Sequence, residues 1–283
     1  MEHEIDRAPG TESGHGVATA VSAITALENE ARELANHAKW SAAARTLTRA
    51  ARAEPHNTGR WLQIAQWQRK NHDIKAAIRT LQTALRLNRV PDSPLPDSSK
   101  DLIELWEALA ETQLEAQSWK ECITTCRTLL QHAPRHHFGQ ELLATALLQT
   151  GQIDEAIEVM RNLLYLSPRD PLHRLKLATL LQLQGNFGDA LREFQRVVEA
   201  HPDLLFVQEA FDAIEALDRM QTQQILLRAA EEHVFRLHLQ QDFDATLEEG
   251  GFYLSEGGRE SLRHMLWDGR ADDPGSIPTP RVH

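Results

Sequence analysis

Residues 137–204 read HFGQELLATALLQTGQIDEAIEVMRNLLYLSPRD PLHRLKLATLLQLQGNFGDALREFQRVVEAHPDL. Written as two halves, this stretch places Gly151 above Gly185 and Pro168 above Pro202, and each pair is about 34 residues apart. Self-similarity at one fixed period is the sequence signature of a repeat architecture. We therefore expect a chain built from repeated units.

Carrying the same period upstream predicts five units, with a loop insertion at residues 92–102 before the third. The units are residues 24–57, 58–91, 103–136, 137–170 and 171–204. Their eighth and twentieth places hold small residues: Ala31, Ala65, Ala110, Ala144 and Ala178, then Ala43, Ala77, Cys122, Ala156 and Ala190. Small side chains at these two places let a pair of packed helices approach closely.

Each unit is expected to form a helix, a short turn and a second helix. In the fourth unit, Leu143 and Leu147 recur at helical spacing before Gly151, and Ile153 and Ile157 do so after it. Glycine at the turn suits a helix end that needs positive φ. A proline at the thirty-second place ends the second helix. The pattern predicts an all-α fold.

This pattern resembles the tetratricopeptide repeat (TPR) over residues 24–204. Trp61 and Trp106 match the family's leading aromatic residue, whereas Gln140 and Arg174 replace it in the fourth and fifth units, and Arg89 replaces the proline in the second. The resemblance implies a right-handed superhelical solenoid of helix-turn-helix repeats. A C-terminal capping helical region would cover its last apolar face.

The remaining segments are assigned from composition and helical patterning. The predicted organisation is a disordered N-terminal segment at 1–22, five repeats within 23–204, a capping helix pair at 205–239, a short helical segment at 240–267 and a disordered tail at 268–283. The capping pair is expected to break between Leu217 and Met220.

Composition excludes several classes of function. Lys and Arg total 30 against 41 Asp and Glu, so the net charge is −11 and binding to phosphate backbones is disfavoured. The sequence contains no apolar run long enough for a transmembrane helix. The N-terminus lacks the apolar core of a secretory signal, and two cysteines do not make a disulfide framework. We expect a cytoplasmic protein that binds neither nucleic acid nor membrane.

The sequence contains no signature of a nucleotide-binding loop, a zinc protease or a serine hydrolase. We therefore expect a non-enzymatic protein without a cofactor. Cys122 and Cys126 share a helix face, which fits two small core residues better than a redox or metal pair. His132, His136 and His137 fit a solvated turn better than a metal site, because no nearby cysteine or acidic residue completes a ligand set. A metal protein or cryptic enzyme is the less favoured alternative.

The family resemblance assigns the concave groove to the second, fifth, ninth and twelfth residues of each first helix. The candidate peptide-binding residues are Arg32, Gln66, Arg69, Glu104, Glu107, Glu111, Phe138, Glu141, Thr145, Leu172, Leu175, Thr179 and Gln182. Glu104, Glu107 and Glu111 share one helical stripe, where like charges repel by a few tenths of a kcal/mol per pair. This stripe is either a solvated acidic face or a patch for Lys or Arg of a bound peptide. Phe138 and Leu175 predict an apolar groove floor.

Two hypotheses for function follow. The first is an adaptor or scaffold that binds a protein or peptide partner with basic and apolar residues in the groove. The Lys/Asn/Arg clamp for chaperone tails is missing, since Glu28, Gln63, Glu104 and Lys176 occupy its places. The second is an accessory or docking protein of an enzyme system, with peptide modification as one option. It rests on a short similarity of residues 235–258 to nitrile-hydratase-related leader segments of modified peptides. The oligomeric state stays open.

Overall fold

The computed structural model describes residues 12–88, 98–200 and 204–267. Within these ranges the chain forms fourteen α-helices and no β-strand, which confirms the all-α fold. The chain divides into two compact units, Met1–Thr150 and Gly151–His283. No described helix combines the length and the apolar character needed to cross a bilayer.

In the unit Met1–Thr150 the described residues form seven helices. They are α1 (Glu12–Asn36), α2 (Trp40–Ala53), α3 (Thr58–Lys70), α4 (Ile74–Asn88), α5 (Ser98–Glu115), α6 (Trp119–His132) and α7 (His137–Gln149). The helices pack as pairs, α1 with α2, α3 with α4 and α5 with α6. Each pair corresponds to one repeat, although α1 begins before residue 24 and α5 before residue 103.

Two boundaries in this unit differ from the sequence prediction. Residues 12–22 belong to α1 rather than to a disordered segment, although Gly14 and Gly16 lower the helix propensity of this stretch. The predicted loop at 92–102 is shorter on its C-terminal side, because α5 already begins at Ser98. Residues 1–11, 89–97, 201–203 and 268–283, including the predicted tail, lie outside the described residues.

In the unit Gly151–His283 seven further helices lie within the described residues. They are α8 (Ile153–Leu166), α9 (Pro171–Gln184), α10 (Phe187–Ala200), α11 (Leu204–Glu231), α12 (His233–Gln241), α13 (Phe243–Glu249) and α14 (Glu256–Trp267). The expected break between Leu217 and Met220 is wrong, because α11 runs through it without interruption. The two residues there, Asp218 and Arg219, are neither glycine nor proline, and Leu217 is fully buried on the same helix.

The repeat core follows the small-residue positions. The eighth-place alanines are at most 5% exposed, and all five twentieth-place residues are completely buried. The twenty-fourth place carries the larger filling residues Leu47, Leu81, Cys126, Met160 and Phe194, all buried. Small and large side chains therefore alternate along the second helices at fixed places, as close packing requires.

The turn between the two helices of a repeat has the same backbone conformation in all five repeats. The fifteenth residue adopts positive φ at Ala38 (54°), His72 (59°), Gln117 (57°), Gly151 (75°) and Gly185 (86°). In the first, second, third and fifth repeats its N–H donates to the carbonyl three residues back at 2.8–3.0 Å. This is the left-handed helix end that glycine adopts without cost, yet three repeats use a residue with a side chain.

A second shared feature explains why the leading aromatic residue can be replaced. Trp61 Nε1 (2.9 Å), Gln140 Nε2 (2.8 Å) and Arg174 Nη2 (2.8 Å) each donate a hydrogen bond to the carbonyl of the proline six residues earlier. The acceptors are Pro55, Pro134 and Pro168. In these three repeats the place supplies an N–H donor that reaches back over the turn, and Trp, Gln and Arg all provide one.

A side-chain clasp holds the segment before α14 against α11. The fully buried Gln221 donates to the Tyr253 carbonyl at 2.8 Å and accepts from the Tyr253 N–H at 2.7 Å. Asp218 accepts from the Ser255 N–H at 2.8 Å and from the Ser255 hydroxyl. A Cβ on Gly258 would lie 2.5 Å from Asp218 Cγ, so only glycine fits there. These contacts, called the clasp below, attach the C-terminal helices to α11.

Candidate functional site

The first helices of successive repeats lie side by side in the unit Met1–Thr150. There α3 contacts α5, and α5 contacts α7. The candidate residues on these three helices are Gln66, Arg69, Glu104, Glu107, Glu111, Phe138, Glu141 and Thr145. This set is called the first-helix face below. Arg32 lies on α1, and the other candidates lie on α9 in the unit Gly151–His283.

An arginine of α3 is held by the acidic stripe of α5. Arg69 Nη1 and Nη2 donate to the two oxygens of Glu111 at 2.9 and 3.0 Å, and Nε donates to Glu115 at 2.7 Å. The hydrogen bond to Glu111 raises the pKa of Arg69, although burial acts in the opposite direction. A two-pronged contact of this kind fixes both the position and the plane of the guanidinium. The sequence placed Arg69 and Glu111 on one surface but did not reveal that they pair.

The other two glutamates of the stripe differ in how firmly they are held. Glu107 lies 3.1 Å from Nε2 of His136, whose Nδ1 accepts the Gly139 N–H at 3.0 Å and so caps α7. This arrangement requires the His136 proton on Nε2. The Glu104 carboxylate lies 3.9 Å from Lys100 Nζ, and the side chains of Glu104 and Lys100 are 47% and 84% exposed. An ion pair as exposed as this contributes little to stability. Glu104 is therefore the most available carboxylate of the stripe.

The predicted apolar floor is corrected in part. Phe138 and Leu172 are 38% and 39% exposed, as large apolar side chains on a binding surface would be. Leu175, predicted to lie in the groove, is only 4% exposed. The reason is that α9 is packed by α8, α10 and α11, so that helix has little free surface. Leu175 is a core residue.

The remaining candidates have local contacts. Arg32 and Gln66 are exposed and bond to neighbours on their own helices. The Thr145 and Thr179 hydroxyls donate to the carbonyl four residues back, at 2.8 and 3.0 Å. Glu141 and Gln182 are half-buried. None of these contacts reveals a ligand, so their role as groove residues stays a prediction.

The cysteine pair is part of the core. Cys122 and Cys126 are completely buried with their sulfur atoms 3.9 Å apart, and Cys122 Sγ donates to the Ala110 carbonyl at 3.3 Å. Hydrogen bonding with Cys122, together with burial, raises the pKa of the Cys126 thiol. A buried neutral thiol is a poor nucleophile and a poor metal ligand.

The histidines near the third repeat have other partners. His132 stacks on Trp106 with ring centroids 4.7 Å apart and an interplanar angle of 11°. His136 caps α7, as described above. Across residues 12–88, 98–200 and 204–267, no three His, Cys, Asp or Glu side chains are grouped so that they could hold a metal ion.

Comparisons with known proteins agree with the repeat architecture. A family model described as tetratricopeptide repeat matches residues 147–217. A comparison with curated proteins gives no significant match. Among solved structures, YrrB, described as a TPR protein with an unusual peptide-binding site, is similar at 14% identity with a TM-score of 0.51, over 66% of this chain and 89% of YrrB.

Two structures of MamA are similar to the same degree. One is 15% identical with a TM-score of 0.53, over 63% of this chain and 91% of that protein. The other, residues 41 to the end of MamA from Desulfovibrio magneticus RS-1, is 18% identical with a TM-score of 0.51, over 62% and 94%. At these identities the similarity concerns the fold.

Proposed function

The chain is a tetratricopeptide repeat protein, and we propose that it is a non-enzymatic scaffold that binds a partner protein. On this proposal the first-helix face of α3, α5 and α7 accepts a peptide segment with basic and apolar residues. The fold and its structural neighbours support an interaction role, and the basic character of the segment is inferred from the residues of the face.

The contact of Arg69 is the observation that carries the proposal. It is an internal example of the recognition proposed, because Glu111 and Glu115 bind a guanidinium through three hydrogen bonds of 2.7–3.0 Å. Glu104 and Glu107 continue the same stripe toward the N-terminus of α5 and remain partly exposed. A Lys or Arg of a partner would meet carboxylates on the same helical stripe.

Phe138 supplies the apolar part of the proposed site. It is the second residue of α7, the helix next to α5, and more than a third of its surface is exposed. A peptide that places an apolar side chain against Phe138 and a cation against Glu104 would use both. The peptide-binding site for which YrrB is described supports peptide binding by this fold, and the location on this chain rests on its own residues.

The test compares two charge reversals within the third repeat. Glu104→Lys changes the first-helix face, and Glu121→Lys makes the same change at an exposed position of α6. We expect a partner captured from the native lysate by the wild type and by Glu121→Lys to be lost with folded Glu104→Lys. Capture of the same partners by all three proteins would overturn the proposal.

Glu111 and Leu175 are unsuitable for this test. Reversing the charge of Glu111 would break the contact with Arg69, and a charge at Leu175 would enter the core. Loss of binding in such variants would not distinguish a binding defect from unfolding.

The second candidate function is a docking protein that acts through the C-terminal helices. The clasp favours it, because it fixes α14 on α11 and so presents a defined surface. Deleting residues 240–283 would not test it cleanly, since α13 and α14 pack in one apolar cluster with Ile225 and Ala229 of α11. Point substitutions on the surface are therefore needed.

A further inference from the structure

A groove of about 870 Å³ lies between α10, α11 and α14 of the unit Gly151–His283. Its floor is apolar and includes Ile214 and Leu226 of α11. Phe211 and Met265 also line it and remain 47% and 46% exposed. Large apolar side chains gathered in one exposed concavity mark an interaction site rather than ordinary surface.

The rim of this groove is acidic. Glu199 of α10, Glu215 of α11 and Glu256 of α14 line it from three sides, and all three are exposed. None of them pairs with another residue in the part of the chain that the structure describes. Asp218, held in the clasp, adds a fourth carboxylate, against the single guanidinium of Arg219 in the lining. Negative charge therefore dominates around an apolar floor.

One wall of the groove is held in place before any partner binds. Ser255 and Gly258 line it, and the Asp218 carboxylate fixes both the backbone and the hydroxyl of Ser255. The Ser255 hydroxyl in turn accepts the Gly258 N–H at 3.0 Å, at the start of α14. A wall that is already ordered lowers the entropic cost of binding.

We propose that this groove docks a basic amphipathic helix of a partner protein. The apolar ridge of that helix, spaced i, i+3, i+4 and i+7, would lie over Phe211, Leu226 and Met265. Its Lys or Arg residues would meet Glu199, Glu215 and Glu256. The shape suits a helix because the walls are themselves helices, and helices pack by setting ridges into such grooves.

The charge of the rim decides between classes of partner. Carboxylates on three sides repel the phosphates of nucleic acids and of anionic lipid surfaces, whereas they attract a cationic peptide. The groove and the first-helix face belong to different units and share no residue. This proposal can therefore fail without affecting the proposed function, and the reverse is also true.

The probe is a fluorescein-labelled four-turn helical peptide made of leucine and lysine, with leucines along one face. Its fluorescence anisotropy is followed while the full chain is added. One twin peptide carries glutamate in place of every lysine, and another carries a central proline that prevents the helix. We expect the lysine peptide to bind and both twins to bind at least about tenfold more weakly, a difference of about 1.4 kcal/mol.

Matched variants locate the binding. Phe211→Ser/Glu215→Lys alters the groove, and Tyr165→Ser/Glu158→Lys replaces an aromatic residue and reverses a glutamate in the same way on exposed positions of α8. We expect about tenfold weaker binding of the lysine peptide only with the groove variant. Circular dichroism confirms that both variants are folded.

Five outcomes would overturn the proposal. The lysine peptide could fail to bind, or both variants could weaken it equally, which would indicate unspecific attraction to an acidic protein. Equal binding of the proline twin would exclude a helical partner. A loss caused by Glu104→Lys instead would move the peptide to the first-helix face. Finally, sedimentation could show a dimer that Phe211→Ser/Glu215→Lys dissociates, which would assign the groove to a second copy of the chain.

Discussion

Replacing Gln117 by glycine is expected to stabilise the protein. Gln117 adopts φ of 57° at the turn of the third repeat, and Ala38 and His72 adopt 54° and 59° at the same place. All three side chains are exposed, and none forms a hydrogen bond to another described residue, so little contact is lost by removing them. The fifth repeat shows the unstrained form, because Gly185 occupies this place with φ of 86°.

The magnitude follows from two opposing contributions. The left-handed conformation costs a residue with a Cβ about 1–2 kcal/mol. Glycine offsets about 0.5–1 kcal/mol of this stabilisation, because the unfolded chain has more conformational freedom at a glycine. The net gain is about 0.5–1 kcal/mol at each site. Since the three sites lie in separate repeats, we expect Ala38→Gly/His72→Gly/Gln117→Gly to gain about 2 kcal/mol.

In urea unfolding, this gain appears as a higher urea concentration at the midpoint, while the dependence of the unfolding free energy on urea concentration stays unchanged. Gln82→Gly is the matched control, because Gln82 is exposed in the interior of α4 and should lose about 1 kcal/mol. Gly185→Ala should lose about 1 kcal/mol through conformation alone, since a Cβ there would meet no atom within 4 Å. A destabilising Gln117→Gly together with a neutral Gly185→Ala would refute the reasoning.

Three further outcomes are expected. Gln140→Leu should lower the free energy of unfolding in urea by about 1 kcal/mol, because the Pro134 carbonyl loses its hydrogen-bond donor. Gln140→Arg should lower it by less, since arginine supplies this donor in the fifth repeat. Leu175→Ala should lose about 2–4 kcal/mol as a core truncation; a loss below 1 kcal/mol would place Leu175 back on the surface. A thiol reagent added to the native protein should leave Cys122 and Cys126 unmodified and react with both only in denaturant. Rapid reaction in the native state would contradict the buried assignment.

The architecture was predictable because it depends on positions that repeat. Small residues at the eighth and twentieth places indicate packed helix pairs from the sequence alone. Gly151 and Gly185 indicated the left-handed turn, and their φ values of 75° and 86° confirm it. The same turn at Ala38, His72 and Gln117 was hidden, because these residues do not prefer positive φ and adopt it only where packing of the two helices demands it.

The candidate site was less predictable, because it depends on how neighbouring repeats meet. The sequence marked Arg69 and Glu111 as members of one surface, but their pairing requires α3 and α5 to lie in contact. Leu175 was misassigned, because its place in the repeat is exposed only where no further helix covers it. The groove between α10, α11 and α14 was not visible, since the expected break near Asp218 concealed that α11 is one long helix.

The clasp has a consequence for how the C-terminal segment opens. The amide hydrogens of Tyr253 and Ser255 lie outside any helix, yet each is covered by a side chain of α11. Such hydrogens exchange with solvent only when the covering contact separates. Exchange of these two amide hydrogens would therefore report how often α14 detaches from α11, independently of the unfolding of either helix.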